Sequence, residues 1–223
     1  MIDISALKKR VISAAILIPV TLIVVLIGGV LFNIFAAAIV VLLVSEYAMM
    51  LHKINKSELL KKSLPYLLAY TALPAAALVS LRNLDSGVEV IIYLLSIVWI
   101  TDTVAYFAGK NFGGPKLAPK ISPNKTISGA VGGALGAAVF GVFAYFLTSD
   151  AVTFYGFIML SIFFSIISQI GDLLESYIKR RFEVKDSGDL IPGHGGLFDR
   201  LDGLLLVVVF GYLVFGILNQ NIF

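Results

Sequence analysis

Seven runs of roughly 20 apolar residues dictate what this chain can become. They cover approximately 11–31, 32–51, 64–81, 88–109, 127–147, 154–177 and 204–218. Each is long enough to cross the hydrocarbon core of a bilayer as a helix, the form in which a single segment satisfies its own backbone polar groups in lipid. Composition agrees, since 59% of the residues are hydrophobic and 14% charged, against about a quarter charged in a soluble domain. The expected fold is all-α: one polytopic transmembrane domain over 1–223 with about seven membrane-spanning helices. Lys8, Lys9 and Arg10 ahead of the first run look like the start of a signal peptide. That run is long, however, and a second follows at once, so a retained helix is expected.

The basic residues report orientation. With the N-terminus in the cytoplasm, all of the 17 lysines and arginines except Arg82 fall on the cytoplasmic side, as the positive-inside rule requires. The C-terminus is then outside, and the two long polar loops, 110–126 and 178–202, share the cytoplasmic face. A formal charge of +3 therefore records topology, and no nucleic-acid partner is expected. The segment 53–63 mixes apolar and basic residues at helical spacing and reads as an interfacial helix on anionic headgroups. The absence of cysteine excludes disulfides, thiolate metal sites and cysteine nucleophiles, leaving His52 and His194 as the only imidazoles.

Acids inside apolar runs cost on the order of 3 kcal/mol each and need a partner or a job. Glu46 reads as a side chain that snorkels to water or pairs with a basic loop. Asp102 fits either a helix-packing hydrogen bond or a functional role. Asp172 and Glu175, spaced i, i+3, share one helix face at the end of the sixth run, and Asp199 and Asp202 repeat the spacing just before the seventh. Two carboxylate pairs thus flank the most charged stretch of the chain, 176–203. Carboxylates converging without thiols suit a hard cation such as Mg²⁺. The alternative is a salt-bridge network joining Glu175 to Lys179 and Asp199 to Arg200.

Two glycine-containing segments differ in meaning. In ISPNKTISG, Ser122, Thr126 and Ser128 are all candidate helix N-caps, and a helix start with Lys125 beside it favours a phosphate. Gly129, Gly133, Ala137 and Gly141 then recur every four residues without a P-loop ending, which marks a small-residue face for close helix packing. In the central stretch, Gly188, Gly193, Gly195 and Gly196 surround His194. Glycines there let backbone approach a ligand, although a plain turn with a surface histidine would look the same.

The stretch SYIKRRFEVKDSGDLIPGHGGLFDRLDG, from Ser176 to Gly203, resembles the signature of the phosphatidate cytidylyltransferases (CDP-diacylglycerol synthases). DTVAYFAGKNFGG, LAPKISPNKT and SQIGDLLES resemble further segments of the family, so the likeness covers Asp102 to the C-terminus. The resemblance implies that phosphatidic acid attacks the α-phosphorus of CTP, giving CDP-diacylglycerol and pyrophosphate in phospholipid biosynthesis. It implies a catalytic set of Asp172, Lys179, Arg180, Lys185, His194, Asp199, Arg200 and Asp202. Ser122, Lys125 and Thr126 would contact the CTP phosphates. Asp172, Asp199 and Asp202, with Glu175 nearby, would bind metal: Mg²⁺ in the first place, with Mn²⁺ or an added monovalent cation compatible with the same donors. Residues 1–100 would form N-terminal helices and 101–223 a catalytic half. The partners would be CTP, phosphatidic acid and the bilayer, a homodimer is compatible with them, and the location is the cytoplasmic membrane of a prokaryote. Two other readings stand beside this one: a cytidylyltransferase for another anionic lipid such as an archaeal ether-lipid phosphate, and a transporter with an ion site at its cytoplasmic face.

Overall fold

The computed structural model describes residues 4–53, 57–147, 153–184, 187–188, 190 and 195–217. Seven α-helices follow in order: α1 (Ile4–Ile27), α2 (Gly29–Lys53), α3 (Ser57–Arg82), α4 (Gly87–Phe112), α5 (Ile127–Tyr145), α6 (Phe154–Arg181) and α7 (Phe198–Gly211), the last running on into a π-helical turn, Tyr212–Ile217. Six of these spans are long and apolar enough to cross a membrane, and α1 adds a shorter apolar stretch, Ala15–Ile27. The architecture is the all-α membrane bundle that the apolar runs predict.

Boundaries differ from the expected ones in three places. The first reversal falls at Gly28, with Gly28 and Gly29 both at positive φ (69° and 58°), so Phe32 lies inside α2 and is buried. The last helix begins at Phe198 rather than 204, which places Asp199 and Asp202 in its first turns. Residues 57–63 are the opening turns of α3 and not a separate interfacial helix; residues 54–56 lie outside the described residues.

The loop 110–126 is also more ordered than a loop. After Gly113 and Gly114, both at positive φ, the chain forms a small antiparallel hairpin, β1 (Lys116–Ala118) and β2 (Ser122–Thr126). Pro119 begins its turn, closed by the Ile121 N–H donating to the Ala118 carbonyl at 3.1 Å; proline suits that position because its φ is already set.

Lipid is as apolar as the helices it surrounds, so close packing has to hold such a bundle together. The small face of α5 does this. A Cβ built on Gly129 would stand 2.9 Å from the Ala105 carbonyl oxygen, one on Gly133 3.0 Å from that of Thr101, and one on Gly141 2.9 Å from that of Phe157. Helices α4 and α6 therefore approach α5 at backbone distance. Between α4 and α6, buried hydroxyls pair off: Tyr93 with Ser161 at 2.8 Å, and Thr101 donating to Ser165 at 2.9 Å. Phe157, Phe164 and Phe215 pack around the Tyr93 ring, largely edge-on.

Arg82 marks one end of the bundle. Its Nε donates to the Val25 carbonyl at 2.6 Å and its Nη2 to that of Leu26 at 3.1 Å, capping the C-terminus of α1, where orphan carbonyls and the negative helix pole favour a cation. The ends of α4 and α6, the hairpin and the starts of α5 and α7 gather at the opposite end. Because the chain has no cysteine, single cysteines report sidedness directly. Cysteines at the exposed Asn111 and Leu190 are expected to react with an impermeant maleimide from one side of the membrane, and one at the exposed Asn83 from the other. Labelling of all three from the same side would contradict this arrangement.

Candidate active site

The site is built where α6 crosses α7. Glycines at the crossing let the backbones meet: a Cβ on Gly171 would lie 2.6 Å from the Asp202 carbonyl oxygen and 3.1 Å from the Gly203 Cα. This contact brings Asp172 and Glu175 of α6 against Asp202 of α7, with one carboxylate oxygen from each within 4.8 Å of the others. Glu175 is fully buried, and Asp172 and Asp202 are partly so.

Cations stand around this cluster. Lys179, one turn beyond Glu175, places Nζ 2.8 Å from Glu175 Oε2 and 2.7 Å from Asp199 Oδ1. Lys125, at the end of β2, pairs with Asp172. Asp199 thus adjoins the three-carboxylate group, sharing Lys179 with Glu175 and lying within side-chain reach of it; its other oxygen accepts from the Ser187 and Gly196 amides, both at 3.2 Å. The expected Glu175–Lys179 pair is present, whereas the partner of Asp199 is Lys179. Arg180 is exposed, donating to the carbonyls of Ile121 and Val184, and Arg200 is exposed in the first turn of α7. Lys185 and His194 lie outside the described residues.

Of the three candidate caps in ISPNKTISG, Thr126 caps α5, its hydroxyl accepting from the Gly129 amide at 3.1 Å. Ser122 instead lies on β2, paired across the hairpin with Ala118, and Ser128 donates to the Gly113 carbonyl. A cleft of about 470 Å³ opens beside Lys125 and Asp172, between α4, the hairpin, α5 and α6. Asp102, Tyr106, Lys110, Asn124 and Gln169 also line it.

The donor set fits a hard divalent cation. Three carboxylates converge, and Glu175 Oε1 is buried without a hydrogen-bond donor among the described residues, a costly arrangement unless something positive completes it. Sequence reasoning flagged Asp102 without deciding its role, and it overlooked Tyr106, Lys110, Asn124 and Gln169. Asn124 adjoins Lys125, and Lys110 lies two turns beyond Asp102 on the same helix. Those neighbours were the available signal, but a cleft bounded by four elements is a tertiary fact.

A helical bundle of this kind, with a carboxylate cluster beside a cleft that has lysines in its wall, defines the chain as an integral membrane protein with a polar site at one end. More specifically, the chain belongs to the cytidylyltransferase family, whose model matches residues 55–218. It is 40% identical over 147 residues to the phosphatidate cytidylyltransferase of Brucella abortus, covering 66% of this chain and 54% of that protein. Against the Bacillus subtilis phosphatidate cytidylyltransferase it is 33% identical over 142 residues, 63% of this chain and 53% of the other. The chain thus spans about half the length of these relatives. With the phosphatidate cytidylyltransferase of Rickettsia conorii it shares 35% identity over 219 residues, 94% of this chain and 91% of that one.

The geometry separates two kinds of acid. Asp172→Asn and Asp202→Asn are expected to leave a folded protein that loses the rise in melting temperature produced by a divalent cation. Asp199→Asn is expected to keep that rise but start from a lower melting temperature, since breaking a buried ion pair costs on the order of 3 kcal/mol. Thermal unfolding with and without Mg²⁺ checks both; an unchanged metal response in Asp202→Asn would remove it from the cation site.

Proposed function

We propose that this chain transfers CMP from CTP to phosphatidic acid, forming CDP-diacylglycerol and pyrophosphate. The observation that carries this reading is the meeting, at one end of a membrane bundle, of a three-carboxylate cluster and a cleft with lysines in its wall. A lipid phosphate and a soluble nucleotide can reach such a place together. Family membership and the names of the relatives support the choice of nucleotide and lipid.

An oxygen of the lipid phosphate attacks the α-phosphorus of CTP. A new phosphorus–oxygen bond forms, the bond to the oxygen bridging toward the β-phosphate breaks, and that oxygen leaves with pyrophosphate. No protein nucleophile is required, so the work of the chain is positioning and charge neutralisation. A divalent ion, Mg²⁺ by preference and held by Asp172, Glu175 and Asp202, would offset phosphate charge when bound. Lys125 and the N-terminus of α5 attract the nucleotide phosphates, with Ser122 and Thr126 shaping that edge. Lys179 bridges Asp199 and Glu175 and offsets the charge of the pair. Arg180 and Arg200, both exposed, are suited to the leaving pyrophosphate, and Lys185 and His194 join them on the family resemblance. On this reading the site faces the cytoplasm of a prokaryote, in its inner membrane, a sidedness supported by the distribution of lysine and arginine along the sequence.

Purified protein given CTP, phosphatidic acid and Mg²⁺ should release pyrophosphate only when all three are present. Release without lipid, or none at all, would overturn the reading, and an archaeal ether-lipid phosphate in place of phosphatidic acid tests the neighbouring specificity. Lys125→Ala is expected to raise KM for CTP with little change in KM for phosphatidic acid, by the equivalent of one charge-assisted hydrogen bond, about 1.5–3 kcal/mol. Unchanged dependence on CTP would exclude Lys125 from nucleotide binding.

A further inference from the structure

We propose that Glu46, on α2, is a positioning residue for the carboxylate cluster and acts through the N-terminus of α7; the inference rests on the reading of the site given above. Glu46 lies outside the family match, which begins at residue 55. Helix α7 starts without a local cap, since Leu197 occupies the N-cap position and makes no side-chain capping bond. Its first amides would be orphaned in apolar surroundings. Glu46 supplies both acceptors from another helix: Oε1 accepts from the Leu197 amide at 3.0 Å and Oε2 from the Phe198 amide at 2.7 Å. The residue is 0% exposed, and a carboxylate at the positive pole of a helix is favourably placed.

The surroundings are shaped to this contact. A Cβ on Gly188 would stand 2.8 Å from Glu46 Oε1, and one on Gly196 would overlap that oxygen and the Ser187 hydroxyl. Only glycine at these two positions leaves the carboxylate its place. Leu43, one turn before Glu46, is fully buried with Phe198 and Leu205, so apolar packing secures the same joint.

Two acceptors on two successive amides set both the rotation and the height of α7 against α2. That setting matters because Asp199 follows Phe198 directly, and Asp202, one turn on, is the residue α7 contributes to the cluster. A shift of α7 by one residue would rotate Asp202 away from Asp172 and Glu175. A purely structural Glu46 would affect only stability; a positioning Glu46 also tunes cation affinity in protein that is fully folded.

The test compares the full-length protein with Glu46→Gln, which keeps the size but turns one acceptor into a donor facing an amide. Mn²⁺ alone serves as the probe, with binding followed by electron paramagnetic resonance, alongside amide hydrogen exchange across 197–203 and steady-state kinetics. Mn²⁺ affinity is expected to fall about 10- to 100-fold, the range seen when residues supporting metal ligands are changed. Exchange at Leu197 and Phe198 should accelerate, and kcat should drop while KM for CTP holds, because the Lys125 cleft is untouched. Folded Glu46→Gln with wild-type Mn²⁺ affinity overturns the proposal. If that variant does not fold, Gly188→Ala decides, since it crowds the carboxylate without removing it: weakened Mn²⁺ binding supports the role and wild-type affinity rejects it. Wild-type protein that binds Mn²⁺ yet makes no CDP-lipid would overturn the assigned reaction instead, and leave the Glu46 comparison standing.

Discussion

Mutual repulsion among Asp172, Glu175 and Asp202 is the constraint to which the rest of this end of the molecule responds. Charges within 4.8 Å repel by about 3–4 kcal/mol per pair at an effective dielectric of about 20, and water is too scarce beside Glu175 to relieve them. Relief comes from fixed groups. Lys125 reaches Asp172 from the hairpin, Lys179 reaches Glu175 from the next turn of its own helix, and the acids of α7 sit at its positive pole. These groups reduce the repulsion without filling the cluster, since Glu175 Oε1 has no donor among the described residues. A cation-binding centre needs that imbalance: enough compensation to fold, and enough residual negative charge to bind.

The bundle itself was legible because the bilayer imposes a single length on its helices, and runs of that length are visible in composition alone. The packing face of α5 was legible for a similar reason, as glycine every four residues has few other uses in a membrane helix. Asp172 and Glu175 were readable as a pair because helical spacing is local. The role of Asp199 was harder to read. Spacing suggested that it belongs with Asp202, but i, i+3 neighbours in a first turn can diverge, and here Asp199 takes Lys179 and the Ser187 and Gly196 amides while Asp202 joins Asp172 and Glu175.

Glu46 and the hairpin were misread for different physical reasons. Glu46 is defined by a partner distant in sequence, whereas the hairpin pairs near neighbours, Lys116 with Thr126 and Ala118 with Ser122. An acid near the end of a span has a cheap local solution, snorkelling to water, and nothing in its neighbourhood reveals that an uncapped helix start lies 151 residues away. The hairpin carries prolines at 119 and 123, with a third at 115 just before it; they argue against a central strand but are tolerated in a turn and in a two-stranded ribbon. Arg82 belongs with Glu46: read as a lone topological exception, it turns out to close the end of α1.

The division of labour between the halves of the chain follows from these distant contacts. The C-terminal helices carry nearly every charged group of the site, yet α7 lacks the means to fix its own start, because the segment before it is glycine-rich and Leu197 makes no capping bond. A cap drawn from α2 is anchored in the membrane bundle, so the start of α7, and Asp202 one turn on, is held by a separate helix. The N-terminal helices, apolar and uninformative when read alone, thereby supply the fixed acceptors against which the start of α7 and its Asp202 are set.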